Sequence, residues 1–127
     1  ITSRLMKALS ANSKIRIFGH PTGRLLTKRE GIQPVWQTIF SLCKERNIAL
    51  EINAAPERLD LKDSHIREAV EAGAKLVIDS DAHAVAHFKW LDFGVAQARR
   101  GWATARDVLN TLPCEEFLKI LRKFKRK

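Results

Sequence analysis

The chain has 127 residues, of which 45% are hydrophobic and 29% are charged. These proportions predict one globular domain and exclude a disordered chain, and no apolar run approaches the ~18 residues of a transmembrane helix. The formal net charge of +9 favours a polyanionic partner, nucleic acid above all.

The first ten residues, ITSRLMKALS, lack the apolar core and cleavage site of a signal peptide, so we expect a cytoplasmic protein without a membrane partner. Cys43 and Cys114 have no CxxC spacing, which predicts two reduced structural thiols rather than a disulfide or a zinc ribbon.

Three short strand-like runs alternate with helical patterns. Strands are predicted at 14–19, 48–53 and 75–80, with helices at 34–47 and 63–74 between them. This alternation, at intervals of about 30 residues, is typical of a parallel sheet. The sequence therefore predicts an α/β fold with three parallel strands and flanking helices.

The residues at the helix ends fit this assignment. Pro34 suits the first turn of its helix and Asn47 suits the exit from it. Asp63 can cap the start of the next helix, and Gly73 can end it.

After the third strand, helical patterns are predicted at 84–100, 104–113 and 114–127. Thr104 and Asp107 have the spacing of a capping box. The last helix ends in KILRKFKRK, a strongly basic segment that a solvated tail or a nucleic-acid contact would explain.

The third predicted strand ends in ionisable side chains, within the stretch KLVIDSDAHA. Alternation in an extended chain places Asp79, Asp81 and His83 on one face. Acids crowded beside an imidazole are unfavourable unless a cation, a proton or water satisfies them. We therefore expect a ligand at this strand end.

All three predicted strands end in polar side chains that can bind a metal ion or transfer a proton. The first runs into His20, the second carries Glu51 and Asn53, and the third carries Asp81 and His83. Imidazole and carboxylate are the ligands that zinc, manganese and iron share, so this set predicts metal-assisted hydrolysis of a phosphate. A basic cluster in the first loop is placed to bind substrate phosphate: Arg24, Lys28 and Arg29.

Each of these residues also has a purely structural interpretation. His20 could be a hydrogen-bonded loop histidine, Glu51 could pair with a basic neighbour, and Asp81 could cap the next helix. His65 and His87 are expected on solvated helix faces. The three tryptophans fall at helical positions, where core packing is expected: Trp36, Trp90 and Trp102.

Four blocks in this order resemble a known family. They read GHPTGRLLTKREG, ALEINAAPERLDL, KLVIDSDAHA and FGVAQARRGWATARDVLNTLP. Together they are similar to the C-terminal part of the PHP domain (polymerase and histidinol phosphatase type) of bacterial and archaeal family X DNA polymerases. GHPTGR and RRGW…DVLNTLP favour the polymerase branch over the stand-alone histidinol phosphatases.

The resemblance implies a partial (β/α)7 barrel and a metal-dependent phosphoesterase or 3′–5′ exonuclease that acts in DNA repair. It implies metal-binding and catalytic roles for His20, Asp81 and His83, each belonging to a different one of up to three Mn²⁺ or Zn²⁺ ions. Residues 1–113 would form the PHP part, and 114–127 a basic helix or tail. Asp79 departs from the family, in which an uncharged residue is expected.

The family's His-x-His motif and polymerase core do not occur in the chain. We therefore expect a fragment that binds metal weakly or not at all and has little activity alone. Its expected partners are DNA, the other half of the barrel with the polymerase core, and a second copy through an open sheet edge. Two alternatives remain: a non-catalytic basic nucleic-acid-binding module, and a small-molecule phosphatase of the histidinol phosphatase type.

Overall fold

A computed structural model describes residues 1–123 of the chain. Its regular elements are, in chain order, α1 Thr2–Ser10, β1 Ile17–Phe18, α2 Trp36–Arg46, β2 Ala49–Asn53, α3 Asp63–Glu71, β3 Leu76–Asp79, α4 Leu91–Arg100 and α5 Cys114–Arg122. Short 3-10 helices cover Val85–Trp90, Ala105–Asp107 and Leu109–Thr111. The last four residues of the predicted basic tail, 124–127, lie outside the described residues.

The three strands form one sheet in the order β1-β2-β3, and both pairings are parallel. Leu50 at its centre pairs with Phe18 on one side and with Leu76 on the other. The prediction of an α/β fold with three parallel strands is confirmed. The strands are shorter than predicted, most of all β1, which has 2 residues instead of the expected run 14–19. A (β/α)7 barrel stays an implication of the resemblance.

The core lies between the sheet and the helices that follow β1 and β2. Ile39 and Phe40 from α2 meet Leu50 and Ile52 from β2, and Ile66 from α3 completes the cluster. All five side chains are fully buried. Burial of an aliphatic or phenyl side chain stabilises a fold by about 1.5–3 kcal/mol, so this cluster fixes the strand ends in place.

Two of the four predicted helix ends are confirmed. Asn47 ends α2 in the left-handed conformation, with φ 54°, and Gly73 follows α3 with φ 83°. The predicted helix starts are wrong. Pro34 lies outside α2, because Val35 is extended and donates its N–H to Thr2 Oγ1 at 2.8 Å. Asp63 is the first residue of α3 rather than its cap.

Beyond β3, the expected helix at 104–113 is wrong, and two short 3-10 helices occupy the segment. The capping box of Thr104 and Asp107 is present as predicted. Val108 is buried and forms a parallel bridge with Leu76, which draws the chain alongside β3. A continuous helix could not make this contact.

The side chain of Asn110 occupies the outer edge of β3. Its Oδ1 accepts the N–H of Ile78 at 3.0 Å, and its Nδ2 donates to the carbonyl oxygen of the same residue at 2.7 Å. One amide thus satisfies both backbone groups that a fourth strand would use there. The opposite edge of the sheet is β1, where the side chain of Ile17 is 40% exposed.

Helix α4 lies close to the ends of β2 and β3 because Gly94 has no side chain. A Cβ at Gly94 would lie 2.5 Å from Cγ2 of Ile78 and 3.0 Å from Cβ of Ala54, closer than such atoms approach. The helix therefore packs directly against the strand ends that carry the candidate site.

The remaining sequence expectations concern the cysteines and the membrane. Cys43 is buried and Cys114 is exposed, and neither is in a disulfide, as predicted. Burial raises the pKa of the Cys43 thiol to about 12, so it stays protonated. None of the helices in residues 1–123 has the length and apolar character needed to cross a membrane.

Candidate active site at the strand ends

Three acidic residues lie near the carboxyl ends of β2 and β3, with Asp79 in contact with each of the other two: Glu51, Asp79 and Asp81, called here the acidic cluster. Asn53 in β2 pairs in register with Asp79 in β3, which brings the two strand ends side by side. Asp79 is hydrogen-bonded to the side chain of Glu51, and its Oδ1 accepts the N–H of Asp81 at 3.2 Å. Asp79 and Glu51 are therefore adjacent, but the predicted alternation of Asp79, Asp81 and His83 on one face is wrong, because β3 ends at Asp79 and Asp81 is left-handed, with φ 50°.

Asp79 lies at the middle of the acidic cluster and is half-buried. Burial, followed by the hydrogen bond and the negative charge of Glu51, raises the pKa of Asp79 to about 7. One proton is therefore held between two carboxylates near neutral pH, as happens when like charges cannot both ionise. With this pKa, Asp79 is only about half ionised at neutral pH, at a position where the family is expected to have an uncharged residue.

Asp81 is held by the last residue of β2 and by one residue of the segment that follows it. Its Oδ2 accepts a hydrogen bond from Nδ2 of Asn53 at 3.2 Å and lies 3.9 Å from Nε of Arg58. Its backbone is left-handed, with φ 50°, a conformation that is uncommon outside glycine. No helix begins at Asp81, so the interpretation of Asp81 as a helix cap is wrong.

His20 lies at the tip of the first loop, beside the acidic cluster. Its backbone N–H donates a short hydrogen bond to Oε2 of Glu51, and its φ is 24°. His20 is exposed to solvent. Glu51 thus contacts His20 and Asp79, and within residues 1–123 it forms no ion pair with a basic side chain, contrary to the structural interpretation of Glu51.

His83 follows Asp81 and is also exposed. Its Nδ1 lies 2.7 Å from the carbonyl oxygen of Asp81, which can only accept, so Nδ1 carries the proton and Nε2 keeps a lone pair. The backbone N–H of His83 donates to Nδ1 of His87 at 3.0 Å, and the His87 ring stacks on Trp90 at 3.9 Å. His87 therefore supports the turn, and it is half-buried rather than solvated.

The donor types of this site fit a divalent cation, because carboxylates and an imidazole lone pair are its preferred ligands. Within residues 1–123, however, no three His, Cys, Asp or Glu side chains converge as a complete ligand set. The acidic cluster thus has the right ligand types for a cation, but it does not provide a complete coordination shell.

Buried Asp60 fixes the loop that carries His20, a role that local sequence patterns did not indicate. Its Oδ2 accepts the backbone N–H groups of Thr22 at 3.1 Å and Gly23 at 3.0 Å. Burial raises the pKa of Asp60, while these hydrogen bonds lower it. Its partners lie more than 35 residues earlier in the chain, so only the tertiary structure reveals the contact.

The three basic residues of the first loop differ in their availability. Nε of Arg24 donates to the carbonyl oxygen of Arg58 at 2.9 Å, and its Nη2 donates to that of Leu59. Arg29 donates to Gly23 through Nε at 3.0 Å and Nη2 at 2.7 Å, but the residue is exposed. Exposed Lys28 makes no side-chain hydrogen bond or ion pair within residues 1–123.

These basic residues line a cleft of about 860 Å³, called here the basic cleft. It is bounded by residues 24–34 together with Thr22, Trp36, Lys62 and His65. Its walls come from the loop after β1 and from the first turn of α3. The cleft therefore adjoins the loop that carries His20.

The expectation of a solvated His65 is wrong. The ring centroid of His65 lies 5.1 Å from that of Trp36 and 6.5 Å from that of Phe40, at the floor of the basic cleft. Burial, aided by the charges of Lys62 and Arg24, lowers the pKa of His65 to about 4. The ring is therefore neutral at physiological pH.

The tryptophans behave differently from one another. Trp36 is buried, as expected, with 8% exposed. Trp102 is 65% exposed and its ring lies 3.7 Å from the guanidinium carbon of Arg67, so the expectation of core packing is wrong there. A cation–π contact holds it on the surface instead.

Comparison with known proteins gives one informative similarity. No protein-family model matches the chain. Over 110 residues, 87% of its length, the chain is 42% identical to a protein named DNA polymerase/3′-5′ exonuclease PolX from Bacillus subtilis (strain 168). The matched part is 19% of that protein, so the chain spans about a fifth of the length of this relative.

Proposed function

The chain is related to one segment of the PolX-type DNA polymerase/3′-5′ exonucleases, and from this relationship we propose that it supplies part of a metal-dependent phosphoesterase acting on DNA 3′ ends. The resemblance predicted from four sequence blocks is confirmed by this relationship. The observation that carries the proposal is the acidic cluster, which lies where a parallel sheet presents its catalytic groups.

The backbone at two candidate ligands supports the proposal. His20 and Asp81 both have positive φ angles, 24° and 50°, although neither is glycine. Such conformations cost of order 1–3 kcal/mol and concentrate at functional sites. Hydrogen bonds to Glu51 and Asn53 hold the two residues in place.

We assign the metal-binding roles to His20, Asp81 and His83, with Mn²⁺ or Zn²⁺ as the ion. A bound ion of this type would supply Lewis-acid polarisation of the phosphate and activation of water. Asn53 and Arg58 orient the Asp81 carboxylate, and the proton on His83 Nδ1 leaves Nε2 available for coordination. Further ligands would come from the rest of a PolX-type polypeptide.

In the same proposal, Lys28 and Arg29 bind substrate phosphate. Both are exposed, and Lys28 makes no competing side-chain contact within the described chain. Arg24 supports the loop after β2 through its hydrogen bonds to Arg58 and Leu59. The contribution of Arg24 to phosphate binding is therefore expected to be indirect.

A chimera tests the proposal. This chain would replace the matched segment of the B. subtilis protein, and Mn²⁺-dependent digestion of a 3′-labelled DNA strand would be measured. Asp81→Asn should reduce digestion at least about 100-fold, because loss of a ligand carboxylate removes charge that the ion requires, while DNA binding stays within about twofold. Asp92→Asn, at an exposed acid in α4, is the matched control and should digest normally.

Unchanged digestion by the Asp81→Asn chimera would refute the ligand assignment. The chain by itself should bind Mn²⁺ weakly in calorimetric titration and leave the labelled strand intact, because His20, Asp81 and His83 do not converge on one ion. Tight binding of several ions by the chain alone would contradict this.

A non-catalytic basic DNA-binding module is the second candidate, favoured by the net charge of +9. The chimera separates the two candidates. If the Asp81→Asn and unaltered chimeras both bind DNA and neither digests it, the binding module is correct.

A further inference from the structure

The basic cleft has a charged rim and an apolar floor. Its rim carries four cations and one acid: Arg24, Lys28, Arg29, Lys62 and Glu30. Its inner surface is lined by buried Pro34 and Trp36 and by half-buried Leu25 and His65, whereas Leu26 and Ile32 are exposed at its edge. Its volume, about 860 Å³, falls in the range of small-ligand sites. The combination suits a ligand with a flat, weakly polar part and an anionic part.

Two polar atoms of this floor lack partners. Nε1 of Trp36 and Nδ1 of His65 are buried, and neither has a hydrogen-bond partner within residues 1–123. Buried polar groups are nearly always paired, so two neighbouring exceptions in one cleft need an explanation. Both atoms have almost no solvent-accessible surface, so a ligand reaches them only if the side chains around them move.

The rim offers free positive charge. The ammonium groups of Lys28 and Lys62 make no side-chain hydrogen bond or ion pair with any residue of the described chain. His65 adds no charge to the floor, because its low pKa keeps the ring neutral. The positive charges of the cleft are therefore on its rim, and the aromatic rings of its floor are uncharged. A nucleotide has the matching division into a charged phosphate and an uncharged base.

We infer that the basic cleft binds one nucleotide unit of a single DNA strand, with the base on the floor formed by Trp36 and His65 and the phosphate between Lys28 and Lys62. The inference rests on the proposed function, since a strand whose 3′ end lies at the acidic cluster would pass the loop that joins His20 to the cleft. Base–aromatic contacts of this kind tolerate any sequence.

Binding of a dodecamer of deoxythymidine to this chain, measured by fluorescence anisotropy in EDTA, tests the inference. The double variant Lys28→Ala/Lys62→Ala should weaken binding about tenfold and lower the slope of log K against log salt by about 2. The matched control is Lys7→Ala/Lys89→Ala, which removes the same charge from two exposed positions outside the cleft. Equal weakening by both double variants would show that only net charge matters and would overturn the inference.

The contribution of the base is tested with a dodecamer of the same backbone that lacks bases. This probe should bind several-fold more weakly than the deoxythymidine dodecamer, and inorganic phosphate should not compete at equal phosphate concentration. If the abasic strand binds equally well, or if phosphate alone displaces the dodecamer, the cleft is a plain anion site and the inference is wrong.

The indole N–H resonances of Trp36, Trp90 and Trp102 provide a local readout, with assignment by Trp90→Phe and Trp102→Phe variants. The deoxythymidine dodecamer should shift the Trp36 resonance and leave that of exposed Trp102 unchanged. An unmoved Trp36 resonance would overturn the inference. Since these measurements use no metal, their failure is distinct from a failure of the chimera to digest DNA.

Discussion

At the scale of single residues, Asp79 makes the stability of the chain depend on pH. Its carboxyl is half-buried beside Glu51 and Asp81, and its pKa is about 7 in the folded chain against an ordinary value of 3.8. The folded state thus binds this proton more tightly than the unfolded state. Its stabilising effect is complete below about pH 4 and is lost as the pH rises through about 7.

Asp79→Asn should remove this dependence, because the amide has no charge and keeps the shape of the carboxyl. In EDTA, the free energy of unfolding of the variant should exceed that of the wild-type chain by about 1–2 kcal/mol at pH 8, allowing for solvent screening of a half-exposed group. The gain should shrink steadily towards pH 4. Urea denaturation at several pH values measures it.

Asp92→Asn, at an exposed acid of α4, is the control and should change the free energy of unfolding little at any pH. If the gain of Asp79→Asn over wild type is the same at pH 5 and pH 8, the shared proton is not what shifts the stability.

The sequence predicted part of the acidic cluster, because alternation along a strand is a local rule. Asp79 follows that rule at the end of β3, but Asp81 lies beyond the strand with φ 50°, and a turn brings its N–H to the Asp79 carboxylate. Asp60 could not be found in this way, because its partners Thr22 and Gly23 belong to the loop after another strand. The partners of His65 are likewise set by packing between α2 and α3.

At the scale of elements, the outer edge of β3 is closed by the backbone bridge of Val108 to Leu76 and by the side chain of Asn110. Asn110 exchanges two hydrogen bonds with the backbone of Ile78, at 3.0 and 2.7 Å. Asn110→Ala should lower the free energy of unfolding by about 1–2 kcal/mol, since water replaces the lost bonds only partly at this exposed site. It should also speed hydrogen exchange at the Ile78 amide.

Asn12→Ala is the matched control, because Oδ1 of Asn12 accepts only the nearby N–H of Lys14 in an exposed loop. A smaller loss, of about 0.5 kcal/mol, is expected there. Unchanged exchange at Ile78 in the Asn110→Ala chain would show that the amide does not protect the edge.

Elements with strong periodicity and distinctive end residues were predictable. Asn47 and Gly73 favour the left-handed conformation, and both end their helices as expected. The segment at 104–113 was not predictable, because the bridge of Val108 to Leu76 overrides its helical pattern. Local preference decides the C-terminal ends of these two helices, and long-range packing decides whether a weak helix forms at all.

At the scale of the whole molecule, β1 is an edge strand that pairs only with β2 within residues 1–123. Ile17 in β1 is 40% exposed, and exposed edge strands promote pairing between chains. We predict weak self-association through β1 at high protein concentration. Ile17→Lys should lower the weight-average mass in sedimentation equilibrium towards that of the monomer, because a charge at the edge opposes pairing.

Val85→Lys is the matched control, since Val85 is 84% exposed and lies away from the edge. It should leave the self-association unchanged. If Val85→Lys dissociates the assembly and Ile17→Lys does not, the contact runs through the segment after β3 instead of β1.

Because Val108 and Asn110 cover the β3 edge, the described sheet can pair with another strand only through β1. Pairing of two β1 edges about a two-fold axis would use the open edge of each copy and leave two covered edges facing outwards. Such an assembly stops at two copies, whereas a sheet open on both sides could add strands without limit. The covered β3 edge thereby separates a closed pair from a growing fibre.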